Sequence, residues 1–279
     1  MLQSKPLFKS TITHIVMIAA SLLMLYPVFW WIGASLKDAS EMGLATIWPK
    51  QPIWDNYIKG WHFSRDYTFA TFFKNTLWME LWNVIGAIIS SSLVAFGFAR
   101  VKFAGSKLWF SILLLTMMLP GQVTLIPQYI LYNRLELVDS YIPLVLPHFL
   151  GGGAFFVFLV VQFIRGIPRE LDEAATIDGN STFGIYYRII LPLIVPALVN
   201  VAIFTFIWSW DDFMSQILYL NSIHKYTVGL ALRMFVDQFD IQWGQLLAMS
   251  LLSVLPSAVI FMFAQKYFVE GIATTGIKG

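Results

Sequence analysis

Glu173-Ala174-Ala175-Thr176-Ile177-Asp178-Gly179 is a short polar island between two long apolar stretches, and Leu191-Pro192-Leu193 follows it. Pro168 suits a first helical turn, and Glu170, Asp172 and Glu173 place negative charge at the positive N-terminal end of that helix. Leu171, Ala174 and Ala175 recur at helical spacing and give a narrow face of mostly small side chains, with Ile177 at its edge. Gly179 can take the left-handed conformation that ends such a helix, and Asn180 or Ser181 can cap the next one. Residues 166–188 therefore predict a helix, a glycine turn and a second helix held at a membrane surface. A small-faced helix with a charged rim suits docking into another protein's groove.

The membrane follows from composition. The chain has 279 residues, is 58% hydrophobic and 12% charged, and has a mean hydropathy of +0.69. A soluble domain carries about 25% charged residues, so this is an integral membrane protein. Crossing a bilayer takes about 20 mainly apolar residues. Segments near 12–34, 75–99, 108–131, 142–165, 189–220 and 244–268 meet that requirement. Pro27, Pro120, Pro127, Pro143, Pro147, Pro192, Pro196 and Pro256 fall within them, so kinked spans are expected. Gly151-Gly152-Gly153 permits close packing or a bend, and equally a weak point facing lipid. Lys5 and Lys9 precede an apolar run longer than the ~7–15 residues of a secretory signal core, so the first span is expected to be retained. No repeat, low-complexity tail or separate soluble domain is visible. A single transmembrane domain, residues 1–279, is expected.

Charge in the short loops orients the spans. Arg100, Lys102 and Lys107 follow the second span with no acidic partner in that loop. Arg165, Arg169 and Arg188 flank the Glu173 segment, and Lys266 and Lys278 lie near the C-terminal end. The loop at 132–141 instead sets Arg134 against Glu136 and Asp139. The excess of basic residues places both termini and the Glu173 segment in the cytoplasm. Trp30, Trp31, Trp48, Trp54, Trp61 and Trp78 suit an outer interfacial belt.

Much chemistry is excluded. A net charge of +2 and the lack of any basic run argue against nucleic acid. Zero cysteines remove disulfides and thiolate metal sites, and the four histidines, His14, His62, His148 and His224, are scattered. There is no phosphate-binding glycine loop, no His-Glu-x-x-His helix and no Gly-x-Ser-x-Gly elbow, so ATP hydrolysis by this chain is not expected. Glu80, Asp211 and Asp212 are the best ionisable candidates within the spans, all nearer the outer side, whereas an ion-coupled carrier more often places carboxylates mid-membrane. Trp208, Trp210 and Phe213 could offer flat faces to sugar rings, with Asp211, Asp212 and Gln216 as hydrogen-bond partners. Packing and interfacial anchoring are the competing roles for that cluster. Gln122 and Gln128 are further pathway candidates.

The Glu173–Gly179 segment, with Phe183, Ile189, Leu191-Pro192-Leu193 and Pro196, resembles the EAA signature of binding-protein-dependent ABC importer permeases. Asn180 stands where alanine is common. Trp48-Pro49, Asn56-Tyr57, Leu119-Pro120 through Ile126-Pro127, and the closing run Val269–Gly279 are similar to the maltose-type carbohydrate branch. The fifth span departs from that branch. Asp211 replaces a usual asparagine, and Ser215-Gln216 replace Trp-Pro.

The resemblance implies an all-α membrane protein with six transmembrane helices and a cytoplasmic helix-turn-helix coupling loop carrying Glu173, Ala174, Ala175, Asp178 and Gly179. It implies a second related permease subunit, two cytoplasmic ATPase subunits and an extracytoplasmic sugar-binding protein. ATP and Mg belong to the ATPase partners, with no cofactor on this chain. The expected function is the permease subunit of a carbohydrate importer working by alternating access. A permease for another small solute, and an ion-coupled carrier, are the alternatives.

Overall fold

A computed structural model describes residues 7–151, 153–236 and 241–276, with side chains described for 11–151, 153–236 and 241–265. Of the positions used above, Lys5, Gly152 and the last three residues, Lys278 among them, lie outside the described residues. The side chains of Lys9, Lys266 and the closing run from Val269 lie outside them too. The described elements are helical, joined by turns and one isolated bridge between Val236 and Ile241. Four helices are long and apolar enough to cross a membrane: Thr11–Ser35, Phe69–Arg100, Ile142–Arg165 and Trp243–Gln265. Two bent pairs, Ser106–Thr116 with Gly121–Arg134 and Thr182–Leu193 with Val195–Asp211, bring the count to six if each is one span.

The chain forms two compact units, one from residues up to Phe69 with Leu232–Val254, the other from Ala70–Ala231 with Leu255 onward. In the first, α1 (Leu7–Ser35) is apolar around its circumference, as a helix in lipid is. After α1, Lys37 is almost fully buried, and its ammonium donates to the carbonyls of Thr46 and Leu44 at 2.5 and 3.3 Å. Asn56, in α2 (Asp55–Trp61), donates to the Ser35 and Lys37 carbonyls at 3.0 Å each, and Tyr57 pairs with Ser35 Oγ at 2.8 Å. The Asn56-Tyr57 pair thus ties α2 back to the end of the first span.

The second unit is organised around α3 (Phe69–Arg100), 32 residues without an interior proline. A polypeptide of that length rises about 48 Å, more than the ~30 Å hydrocarbon layer. Small residues Ala87, Ala95 and Ala99 on α3 are buried with Val157, Val160 and Ile164 of α7 (Ala154–Arg165), in a core that also takes in Ile190, Ala197 and Val201.

Three expected spans are interrupted. The third comprises α4 (Ser106–Thr116) and α5 (Gly121–Arg134), meeting at 100°. Pro120 caps α5 in an extended conformation, and it stops α4 because it lacks the N–H and crowds the preceding residue out of the helical region. The fourth comprises α6 (Ile142–Phe149) and α7, separated by a stretch in which Gly151 and Gly153 have positive φ, 121° and 99°. In the fifth, α8 (Glu170–Ile177) is followed by α9 (Thr182–Leu193), which carries a π-helical turn at Tyr186–Ile190. A 74° bend between Pro192 and Pro196 then leads into α10 (Val195–Asp211). The expected fifth span, 189–220, runs too far. Asp212 leaves the helical region, and its Oδ1 accepts from Ser215 N at 3.0 Å, starting the separate helix α11 (Phe213–Tyr219). Asp211 and Asp212 mark this break in the sequence, but apolar residues resume at Phe213, so a span drawn on averaged hydropathy runs through it. A short α12 (Val228–Leu232) and the long α13 (Trp243–Gly276) complete the chain.

Candidate coupling and pathway sites

The Glu173 segment folds by local rules. Glu170, Asp172 and Glu173 occupy the first turn of α8, where the exposed amides and the helix dipole favour negative charge. Pro168 is not in that turn. Arg169 is the N-cap, and the proline sits one residue outside. At the other end Gly179 has φ +81°, its N–H donates to Thr176 O at 3.0 Å, and Asn180 N–H reaches Ala175 O at 2.9 Å. These are the paired bonds of a Schellman ending. Asn180 adds its amide to the Ala175 carbonyl at 3.2 Å and accepts from Arg188 at 3.3 Å, so the departure from alanine has a use. Ser181 caps α9, accepting from Gly184 N at 3.2 Å.

The expected face of small residues divides in two. Ala175 turns into the core, whereas Leu171, Ala174 and Ile177 remain exposed, Ile177 at 87%. Glu173 and Asp178 are exposed beside them, and Phe183 and Tyr187 extend the surface from α9. Arg100, read from its own loop as lacking an acidic partner, has one across space. Its Nε lies 2.8 Å from Asp172 Oδ2, and its Nη2 donates to Ile167 O at 2.7 Å.

The pathway candidates do not converge. Trp208 stacks on Phe156 with centroids 5.4 Å apart and also meets Phe155 and Phe204. Trp210, two residues on, lies on the opposite side of α10, stacked on Phe206 at 5.2 Å and near Phe73. Gln216 is buried with both ends engaged, its Nε2 donating to Ser209 O at 3.0 Å and its Oε1 accepting from Thr227 Oγ1. Asp212 is a helix cap. Asp211 and Phe213 are exposed, and Gln122 and Gln128 are exposed on α5.

Two polar arrangements escaped the sequence reading. Glu80 and Asn83, one turn apart on α3, are each 1% exposed, and Glu80 Oε1 and Oε2 and Asn83 Oδ1 have no hydrogen-bond partner among the described residues. Glu80 stands out in sequence as an acid inside a span, but its burial does not. In the loop between α5 and α6, Asp139, at φ +59°, accepts from the amides of Asn221 and Ser222 at 3.0 and 2.9 Å and from Ser222 Oγ at 2.6 Å. Lys225 pairs with the same carboxylate at 3.0 Å. These bonds, the Ser222 hydroxyl foremost, hold the Asp139 carboxyl well below the usual carboxylate range. Burial and the nearby Asp139 charge push the Tyr141 hydroxyl up to about 12. Positive φ at Asp139 and partners 80 residues away left no local signal.

Residues 83–274 match the family described as binding-protein-dependent transport system inner membrane component. The chain belongs to this family. It is 34% identical over 263 residues to the arabinooligosaccharides transport system permease protein AraQ of Bacillus subtilis, covering 93% of this chain and 92% of that protein. It is 29% identical to the galactooligosaccharides transport system permease protein GanQ of the same organism, covering 96% and 95%. To the sn-glycerol-3-phosphate transport system permease protein UgpE of Pectobacterium atrosepticum it is 31% identical, covering 93% and 94%. A chain from the crystal structure of a bacterial ABC transporter that imports the acidic polysaccharide alginate shares the fold, with TM-score 0.80, 19% identity and coverage of 94% and 96%. The protein is a multi-pass membrane transport permease.

Proposed function

We propose that this permease is one of two related membrane subunits of an ATP-driven importer for a small sugar, oligosaccharide or sugar derivative. An extracytoplasmic binding protein delivers the solute, and two cytoplasmic ATPase subunits hold ATP and Mg. The whole chain works as one permease domain with both termini in the cytoplasm, and residues 166–188 form its coupling segment. The exposed turn of α8 and α9 carries this reading. Its backbone is locked by the Schellman ending, yet Leu171, Ala174, Ile177 and Phe183 are left uncovered beside Glu173. A rigid apolar ridge with an acidic rim suits a groove with basic edges. Asp178 closes α8 and Ala175 anchors it from beneath. Trp208, Trp210, Asp211, Asp212, Gln216 and Gln122 flank the solute's route in this reading, the engaged side chains as framework and the exposed ones as possible contacts.

Reconstitution with the ATPase and binding protein tests the reading. Uptake of oligosaccharide should require ATP and both partners. Uptake by vesicles that lack the ATPase, driven by an ion gradient, overturns it. The likeness to UgpE favours a second reading, in which the solute is a phosphorylated polyol. Measuring which ligand the cognate binding protein holds separates the two.

A further inference from the structure

Asp172 and Glu173 are adjacent acids in the first turn of α8 with different surroundings. Glu173 is exposed, whereas the Asp172 side chain is 19% exposed and is turned onto Arg100, whose side chain is 6% exposed. Arg100 is the last residue of α3, and its guanidinium bridges Asp172 to the Ile167 carbonyl just ahead of α8. Arg169, the N-cap of α8, reaches in the other direction and donates to the Ala99 carbonyl at 3.3 Å. That carbonyl is among the last four of α3, which lack partners within the helix. Two guanidinium groups therefore cross between the same two helix ends in opposite senses. Beneath them Ala175 joins α3 residues Ala95, Phe96 and Ala99 in one core, and Tyr186 Oη lies 2.9 Å from Ser92 Oγ one to two turns further along α3.

We propose that the Arg100–Asp172 pair is the positioning element that makes α3 move with the coupling segment as one body. This rests on the reading of residues 166–188 as the ATPase-docking segment. A push on the exposed face of α8 cannot slide that helix past the end of α3 without separating a poorly hydrated ion pair and breaking the Arg100 Nη2 hydrogen bond to the Ile167 carbonyl. The displacement is handed instead to a helix that carries the buried Glu80 and Asn83 about 30 and 26 Å away, at ~1.5 Å per residue. Asp172 faces inward to transmit the motion, and Glu173 faces outward to receive it.

A merely stabilising pair behaves differently, because apolar residues of similar volume can replace a buried ion pair with little loss of stability. The test uses the complete complex with its ATPase and binding protein, reconstituted in proteoliposomes. Arg100→Met and Asp172→Leu singly should impair assembly. Arg100→Met combined with Asp172→Leu should restore assembly and melting temperature, yet leave sugar transported per ATP hydrolysed about tenfold below wild type, since an apolar contact replaces neither the charge pair nor the bond to the Ile167 carbonyl. Arg100→Lys, which keeps charge but loses the fork, should fall between. Wild-type transport per ATP in the double variant overturns the proposal. The chain has no cysteine, so Ile177→Cys provides a unique, exposed thiol for cross-linking to the ATPase. Failure to cross-link at that position sinks the docking reading. Cross-linking together with normal coupling in the double variant sinks only the role of the pair.

Discussion

The turn at 170–185 and the C-terminal end of the fifth span are both polar interruptions of an apolar chain, yet they are built in different ways. In the turn, every bond that shapes the backbone joins residues no more than five apart, as in Asn180 N–H to Ala175 O. At the end of the fifth span, Trp208 and Trp210 point to opposite sides of α10, Gln216 is fully engaged inside the fold, and Asp212 caps a helix. A site written in consecutive residues survives folding as a surface. A set chosen because polar and aromatic residues occur near each other in sequence is sorted by the fold into separate tasks.

The largest expected effect tests the packing side of this contrast. Trp210→Ala should cost about 3 kcal/mol, near the low end for loss of an aromatic from a packed site, and should lower the yield of assembled complex in detergent. Reduced uptake with normal assembly would return Trp210 to the solute route. Gln216→Leu comes next. It strands the Thr227 hydroxyl and the Ser209 carbonyl, at a cost of about 1–3 kcal/mol, so melting temperature should fall while the KM for solute stays unchanged. A raised KM with unchanged melting would mean that Gln216 meets the solute.

Smaller effects probe the turn. A Cβ at Gly179 meets nothing within 4 Å, so substitution there acts through the backbone alone. Gly179→Val should cost about 1–2 kcal/mol for the left-handed conformation and reduce ATPase co-purification, whereas Gly179→Asn should be tolerated. Equal behaviour of the two variants would contradict a left-handed cap. Glu173→Lys should remove about 0.3–1 kcal/mol of favourable dipole interaction and weaken ATPase binding further if a basic groove edge faces it. Unchanged co-purification at low salt would remove Glu173 from the docking surface.

The smallest effect concerns Asp139. Its carboxyl is held below the usual range, so its contribution is complete above ordinary carboxylate values and is lost as pH falls through the depressed folded value. Asp139→Asn should therefore speed hydrogen exchange at the Asn221 and Ser222 amides at neutral pH. Wild type and variant should converge only in strong acid. Convergence at pH 5 would show that the charge of Asp139 does not organise this turn.

Hydropathy by itself determined the membrane class and the apolar segments, because crossing a bilayer demands long apolar runs whatever surrounds them. Local residue identity determined the Gly179 cap and the acidic first turn of α8, because capping depends on a residue's own conformational range and on neighbours within one turn. Proline positions marked where the third and fifth spans could bend, but the 100° and 74° angles were settled by tertiary packing. Only the tertiary structure decided that Arg100 belongs to Asp172, that Ala175 faces inward while Ile177 faces out, and that Gln216 bonds Thr227. Each of these depends on which surface a side chain meets once distant helices pack. That choice is set by burial and hydrogen-bond pairing across the fold, for which residue type and local spacing carry no signal.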